Sequence, residues 1–76
     1  MRTPNEKAIK DLIEKARREY PVGTRIELID MDDPQAPPAH TKGTVKGVDD
    51  MANILVNWDS GSSLSVVYGV DVIRKL

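Results

Sequence analysis

The chain contains no cysteine and no phenylalanine, and among its 76 residues there are one tryptophan, two tyrosines and a single histidine. Without cysteine it can form no disulfide staple, no zinc–thiolate site and no thiol nucleophile. His40 stands alone, so neither a paired-histidine metal site nor a Cys–His couple can be built around it. Long apolar runs are also missing. Nothing approaches the ~20 residues that cross a bilayer, and Arg2, Thr3, Pro4 and Asn5 lead into charged residues, unlike a signal peptide. These absences lead us to expect a cytoplasmic chain in a reducing compartment, with no membrane partner, no metal and no cofactor.

A chain of this length makes one domain and buries only about 60% of its unfolded surface, so its stability should be marginal. Net charge is −1 but unevenly spread. Residues 1–20 carry six bases against four acids, whereas residues 21–76 carry five bases against eight acids. Proteins that grip phosphate backbones usually show a basic surplus, and here the larger part shows the reverse.

Residues 4–20 read as an amphipathic helix. Thr3 is a good N-cap, Pro4 suits the first helical position, and Glu6 completes a capping box. Ala8, Ile9, Leu12, Ile13, Ala16 and Tyr20 recur at spacings of three and four, giving one apolar stripe. Glu6–Lys10, Asp11–Lys15 and Glu14–Arg18 stand in the favourable acid-before-base order on the other face. Pro21 and Gly23 stop the helix, and residues 21–23 form a short connection. A helix of ~16 residues is barely stable alone, so its stripe is expected to dock, through Ile9, Leu12, Ile13 and Ala16.

Residues 24–76 read as short strands between turn residues. Arg25–Ile29 alternates with Ile26 and Leu28 inward, and Gly43–Val48 follows, with Gly47 marking a bulge or a close backbone approach. Ile54, Val56 and Trp58 alternate with Leu55 and Asn57, and Leu64, Val66 and Tyr68 alternate with their neighbours. Asp49–Asn53 and Asp59–Ser62 supply hairpin turns, Gly69–Asp71 a single helical turn, and Val72–Lys75 the last strand. Pro34, Pro37 and Pro38 forbid regular pairing between Asp32 and Thr41. The expected architecture is mostly β with one helix: a five-stranded small barrel preceded by an N-terminal amphipathic α-helix, a closed sheet being one answer to exposed strand edges.

The runs Gly23–Leu28, Met31–Pro34 with Ala36–Pro38, Gly43–Val45, Val48–Asp50, Val56–Asp59, Gly61–Leu64 and Gly69–Asp71 together resemble an uncharacterised bacterial and phage-associated family of small SH3-like domains. The resemblance covers roughly residues 22–75. It implies an SH3-like barrel and a bacterial, phage or mobile-element setting; it implies no catalytic residues and no activity.

Each candidate site has a plainer reading beside it. Trp58 can anchor an interface or supply core volume beside Ile54 and Val56. The proline loop can line a ligand groove or merely stiffen a long connection. The aspartates Asp30, Asp32, Asp33, Asp49, Asp50, Asp59 and Asp71 match no calcium-loop spacing and suit turns. Ser60, Ser62, Ser63 and Ser65 lie in no nucleophile-elbow pattern, and catalysis is not expected. The favoured function is a non-catalytic protein-interaction module whose binding surface joins Asp32, Asp33, Pro34, Pro37 and Pro38 to Trp58 and Tyr68. The alternative is a nucleic-acid binder using a patch of Lys42, Lys46, Arg74 and Lys75. A monomer is favoured, with a dimer through the helix stripe as the other possibility.

Overall fold

In the computed structural model, which describes residues 4–76, the amphipathic run forms helix α1 (Pro4–Glu19). The proposed cap at Thr3 lies outside the described residues. The Tyr20 N–H donates to the Ala16 carbonyl at 2.8 Å, which closes the last turn. Proline then ends the helix, and Gly23 turns the chain at φ +92°, in the left-handed region that glycine enters without steric cost. The connection is not a tether. Thr24 donates from both N–H and Oγ1 to the Pro21 carbonyl (3.1 and 2.6 Å), and the Gly23 N–H donates to the Val45 carbonyl at 2.8 Å.

Five strands follow: β1 (Arg25–Asp30), β2 (Lys42–Val48), β3 (Asn53–Trp58), β4 (Val66–Val67) and β5 (Val72–Lys75). They form one antiparallel sheet in the order β4-β3-β2-β1-β5. The first four strands are a meander, and β5 returns beside β1 through Ile26↔Lys75, Glu27↔Arg74 and Leu28↔Ile73. Register shifts at Leu28/Asp30 and Val45/Gly47 bend the sheet, as bulges do, so its apolar face curls around the core. That core is Ile26, Leu28, Val45, Ile54, Val56, Trp58 and Val66, with Tyr20, Met31, Val48, Tyr68 and Ile73 packed at its margin.

Two expectations need correction. The sheet curls but does not close: β4 and β5 are its two end strands, and no ladder joins them among the described residues. The fourth strand is also shorter than expected, for a local reason. The stretch expected to extend β4 leaves the ladder because the Trp58 Nε1–H takes the Leu64 carbonyl at 2.8 Å and the Leu64 N–H goes to Ser62 Oγ at 3.2 Å. Only Val66 and Val67 remain to pair with Ile54 and Asn53. The second correction concerns the helix. Of its stripe only Ala16 is fully buried; Ile9 and Ile13 are half-buried and Leu12 is 43% exposed. At about 1.5 Å per residue the helix is ~24 Å long, and the molecule measures 43 × 25 × 17 Å. The helix is fully buried only near its C-terminal end; Glu6, Lys7 and Ala8 are exposed.

The bulge at Val45/Gly47 agrees with the expectation for Gly47, but the close approach lies elsewhere. A Cβ on Gly47 would meet only Leu55 Cδ1, at 3.9 Å. A Cβ on Gly43 would stand 2.7 Å from Val56 Cγ1, 2.8 Å from Trp58 Cε3 and 3.1 Å from the Asn57 carbonyl oxygen. Gly43 is the gap that lets the Trp58 ring lie across β2.

Gly43→Ala should therefore cost about 1–3 kcal/mol of stability through overpacking, whereas Gly47→Ala should stay within about 0.5 kcal/mol; urea denaturation of both variants checks the pair. By the same measurement Leu12→Asp should destabilise by about 1–2 kcal/mol, since the side chain is 43% exposed and loses its partial burial together with helix propensity. Ala16→Leu, at a fully buried site, should destabilise by about 1–3 kcal/mol through overpacking.

Candidate functional site

Where the sheet fails to close, the end of α1 occupies the gap. Tyr20 packs edge-on against Tyr68, with ring centroids 6.4 Å apart and planes at 75°. Lys75 Nζ sits 5.2 Å from the Tyr20 ring centroid, a cation–π distance. Tyr68 Oη donates to Glu19 Oε2 at 2.5 Å. Tyr68 follows β4 and Lys75 ends β5, so these contacts fasten the helix to both sides of the seam. The hydrogen bond to Glu19 is the main reason that the Tyr68 hydroxyl is held above its ordinary pKa, and burial is the main reason for Tyr20.

Between these anchors lies a groove of about 400 Å³. Ile54, Val66 and Ile73 line it, together with Tyr20 and Tyr68, the Gly69–Val72 turn, and Lys15 and Glu19 of the helix. Val70 is 73% exposed and Val72 47%, so aliphatic side chains that meet water stand at its margin. The two strand edges facing the seam differ. The Val67 N–H donates to Asp71 Oδ2 at 2.8 Å, and the Val67 carbonyl accepts from the N–H groups of Val70 and Asp71. The β4 edge is thus capped by its own turn. Among the described residues the outer edge of β5 has no strand beside it.

On the opposite face a second set of polar groups serves the sheet itself. Glu27, only 8% exposed, accepts from Arg74 Nε and lies 3.1 Å from His40 Nδ1. The Arg74 hydrogen bond is the largest influence on Glu27 and holds its carboxyl below the ordinary 4.5; burial opposes it, and His40 adds to it. Arg25 makes a two-pronged contact with Asp59 (2.9 and 2.8 Å) and reaches Thr44 Oγ1 at 3.0 Å, joining β1 to the turn after β3. Asp49 accepts from the N–H groups of Asn53 and Met51, both at 2.9 Å, which fixes the β2–β3 hairpin; the Asn53 bond is the main influence holding the Asp49 carboxyl below its ordinary pKa.

The surface expected from the sequence is dispersed. Trp58 is 3% exposed, with its indole N–H spent on Leu64, and belongs to the core. It pairs with Gly43 at one end of β3, while Ile54, at the other end, pairs with Val66 next to the groove. At about 3.3 Å per residue that places Trp58 ~13 Å from the Tyr68 end of the strand. In the proline loop Pro37 is buried, whereas Asp32, Asp33, Pro34 and Pro38 are exposed. The loop is clamped to β1 by His40 N–H to the Leu28 carbonyl (2.6 Å) and Leu28 N–H to the Thr41 carbonyl (2.9 Å), and Asp33 Oδ1 takes the Gln35 N–H at 2.7 Å. Of the seven residues only Tyr68 lines the groove. Of the four bases, Lys42 and Arg74 stand on either side of Glu27, in register with it from β2 and β5, and so share one face of the sheet, whereas Lys75 lies on the other. Arg74 turns to Glu27 and Lys75 to Tyr20, on opposite faces of β5, as neighbours on a strand must. Lys42 stands in register with Glu27, and Lys46 is exposed at the bulge.

The residues that sequence reasoning missed are Lys15, Glu19, Val70 and Val72. A faint signal was present: Tyr20 ends the helical stripe, and the valines flank the Gly69 turn. Among the described residues no three histidine, aspartate or glutamate side chains group as a metal set, and no helix is long and apolar enough to cross a membrane.

Helix, open five-stranded antiparallel sheet and seam groove together define a small, mostly β domain. Residues 9–76 match a domain of unknown function, DUF4314, and the chain belongs to that family, in agreement with its resemblance to an uncharacterised one. No curated protein matches the chain.

The depressed carboxyl of Glu27 gives a pH prediction. A group whose pKa is lower folded than unfolded contributes stability that is fully present above its unfolded value and lost as pH falls through the folded one. Stability should therefore decline below about pH 4.5, helped by Asp49 and Asp59, whose pKa values are lowered in the same sense. Glu27→Gln should be less stable at pH 7 and show a shallower acid decline, measurable by denaturant titration between pH 7 and 3.

Proposed function

We propose that this domain is a non-catalytic interaction module that binds a segment of another protein in the seam groove between the β4 turn and β5. The observation that supports it is the groove itself: a concave site of about 400 Å³ with two tyrosines in its lining and water-exposed valines at its margin, where the sheet stops short of closing. Sites of this size and make-up are the usual place for ligands. The module keeps the SH3-like assignment, supported by a meander whose fifth strand returns beside the first. It keeps the bacterial or mobile-element and cytosolic setting, supported by the sequence resemblance and the lack of cysteine. The nucleic-acid reading has less behind it, since Arg74 and Lys75 already have partners within the chain.

Panning a random-peptide display library against the domain tests the proposal, with the double variant Val70→Lys/Val72→Lys as comparison. Both valines are exposed, so the fold should survive, which circular dichroism checks. Enriched peptides should bind the double variant about tenfold or more weakly, the loss expected when two apolar contacts of ~1 kcal/mol are removed. Equal binding to both proteins would show that the groove is not the site. Tight, steeply salt-dependent binding of DNA or RNA in its place would transfer the function to the second reading.

A further inference from the structure

The carboxylates of the groove differ from those of the sheet face. Glu27 and Asp59 each hold a cation, Arg74 and Arg25. Glu19 and Asp71, which line the groove, accept only from neutral donors, the Tyr68 hydroxyl and the Val67 N–H. Such a bond orients a carboxylate without cancelling its charge, and neither group makes an ion pair with a described residue. Lys15 is the one cation in the lining, so two anions stand against it. The aromatic wall favours the same sign of ligand. A tyrosine ring is negative on its face, and Tyr20 already has Lys75 Nζ 5.2 Å from its centroid. Behind burial, the Glu19 charge raises the pKa of Tyr20; for Tyr68 it acts behind the hydrogen bond and burial, so both rings lie in a negative field. The surface open to a ligand is this charged and aromatic rim. Glu19 and Val70 are exposed and Tyr20, Tyr68 and Asp71 half-buried, whereas Ile54 and Val66 are core residues beneath.

We infer that the groove takes a basic side chain, lysine or arginine, from the bound segment, its cation drawn to the Glu19 and Asp71 carboxylates beside the tyrosine pair and its alkyl stem lying along Val70 and Val72. This rests on the interaction-module reading and names the chemistry that the partner must supply. A long basic side chain joins an apolar stem to a charged head, which matches a rim of aliphatic and anionic groups. An acidic segment would meet two like charges. A purely apolar one would cover two carboxylates and give them no counter-charge. Lys15, exposed and without an ion pair to a described residue, is the competitor already in the lining.

The test uses the synthetic peptide acetyl-Ser-Val-Lys-Val-Ser-amide and counterparts with norleucine or glutamate at the centre; norleucine keeps the stem and lacks the charge. Binding is read by NMR shifts of the Gly69, Val70 and Asp71 amides at low and high salt. The lysine peptide should bind about tenfold more tightly than the norleucine peptide, as a charged hydrogen bond would give, and the advantage should shrink at high salt. The glutamate peptide should bind least. Glu19→Gln/Asp71→Asn leaves an acceptor for the Tyr68 hydroxyl and the Val67 N–H while removing both charges, and should erase the lysine preference; circular dichroism checks its fold. Lys15→Gln, an exposed change, should strengthen lysine binding severalfold by removing the competitor, and this variant and the norleucine comparison decide the matter even if the double variant fails to fold. Equal binding of the lysine and norleucine peptides, a lysine preference that survives in the folded Glu19→Gln/Asp71→Asn protein, or no gain from Lys15→Gln would overturn the inference. No binding of the lysine peptide, with display-selected peptides still held by the groove, would do the same. In each of these cases the groove remains a protein site as long as Val70→Lys/Val72→Lys releases the display-selected peptides. Display-selected binding that is indifferent to Val70→Lys/Val72→Lys would remove the underlying reading as well.

Discussion

The pairing of β5 with β1 is the constraint on which the rest of the molecule depends. It closes the longest loop in the sheet, bringing Arg74 to Glu27 across 47 positions of sequence. Glu27 is the one charged residue in the buried set, so its environment must supply what water would have supplied. Arg74 and His40 do so from β5 and from the end of the proline loop. With that carboxylate satisfied, the flanking residues Ile26 and Leu28 can stay fully buried on the other face and receive Ile73 beside them. Without β5 in place the sheet would be a four-stranded meander with β1 as a bare edge and no seam to form a groove.

The seam is a compromise between two demands on a small sheet. Bulges in β1 and β2 curl it far enough to surround seven core side chains, which a flat sheet of this size could not do. β4 is only two residues long, Trp58 holding the Leu64 carbonyl through its indole, and its outer edge is satisfied by Asp71 and Val70 instead of by β5. A buried indole N–H must find an acceptor, and here the acceptor is taken from the segment that would otherwise pair. The gap is then filled from outside the sheet by Tyr20, which reaches both Tyr68 and Lys75.

The helix makes the same point about scale. Its amphipathic pattern is unambiguous, yet the surface available to it spans little more than its last turns, where Ala16 is fully buried. Periodicity states which side chains share a face. How much of that face is covered depends on the size of the partner surface, which is a property of the folded sheet.

The sequence by itself determined the helix to within a residue of its end, the order of five strands with all but the fourth close to their observed extent, the Asp49 hairpin, the bulge near Gly47 and the turn at Gly69, because each rests on spacing or on a residue's own backbone preference. It also placed Trp58 among the core residues as one of two readings. Tertiary structure alone decided that the sheet stays open, that Gly43 rather than Gly47 is pressed against its neighbours, and that Tyr20, Tyr68, Lys15 and Val72 share one groove. Those residues lie as much as 57 positions apart, from Lys15 to Val72, and meet only because β5 returns to β1 and the helix end drops into the seam. Local pattern records which way a side chain points along its own element; it holds no record of which distant element will stand opposite.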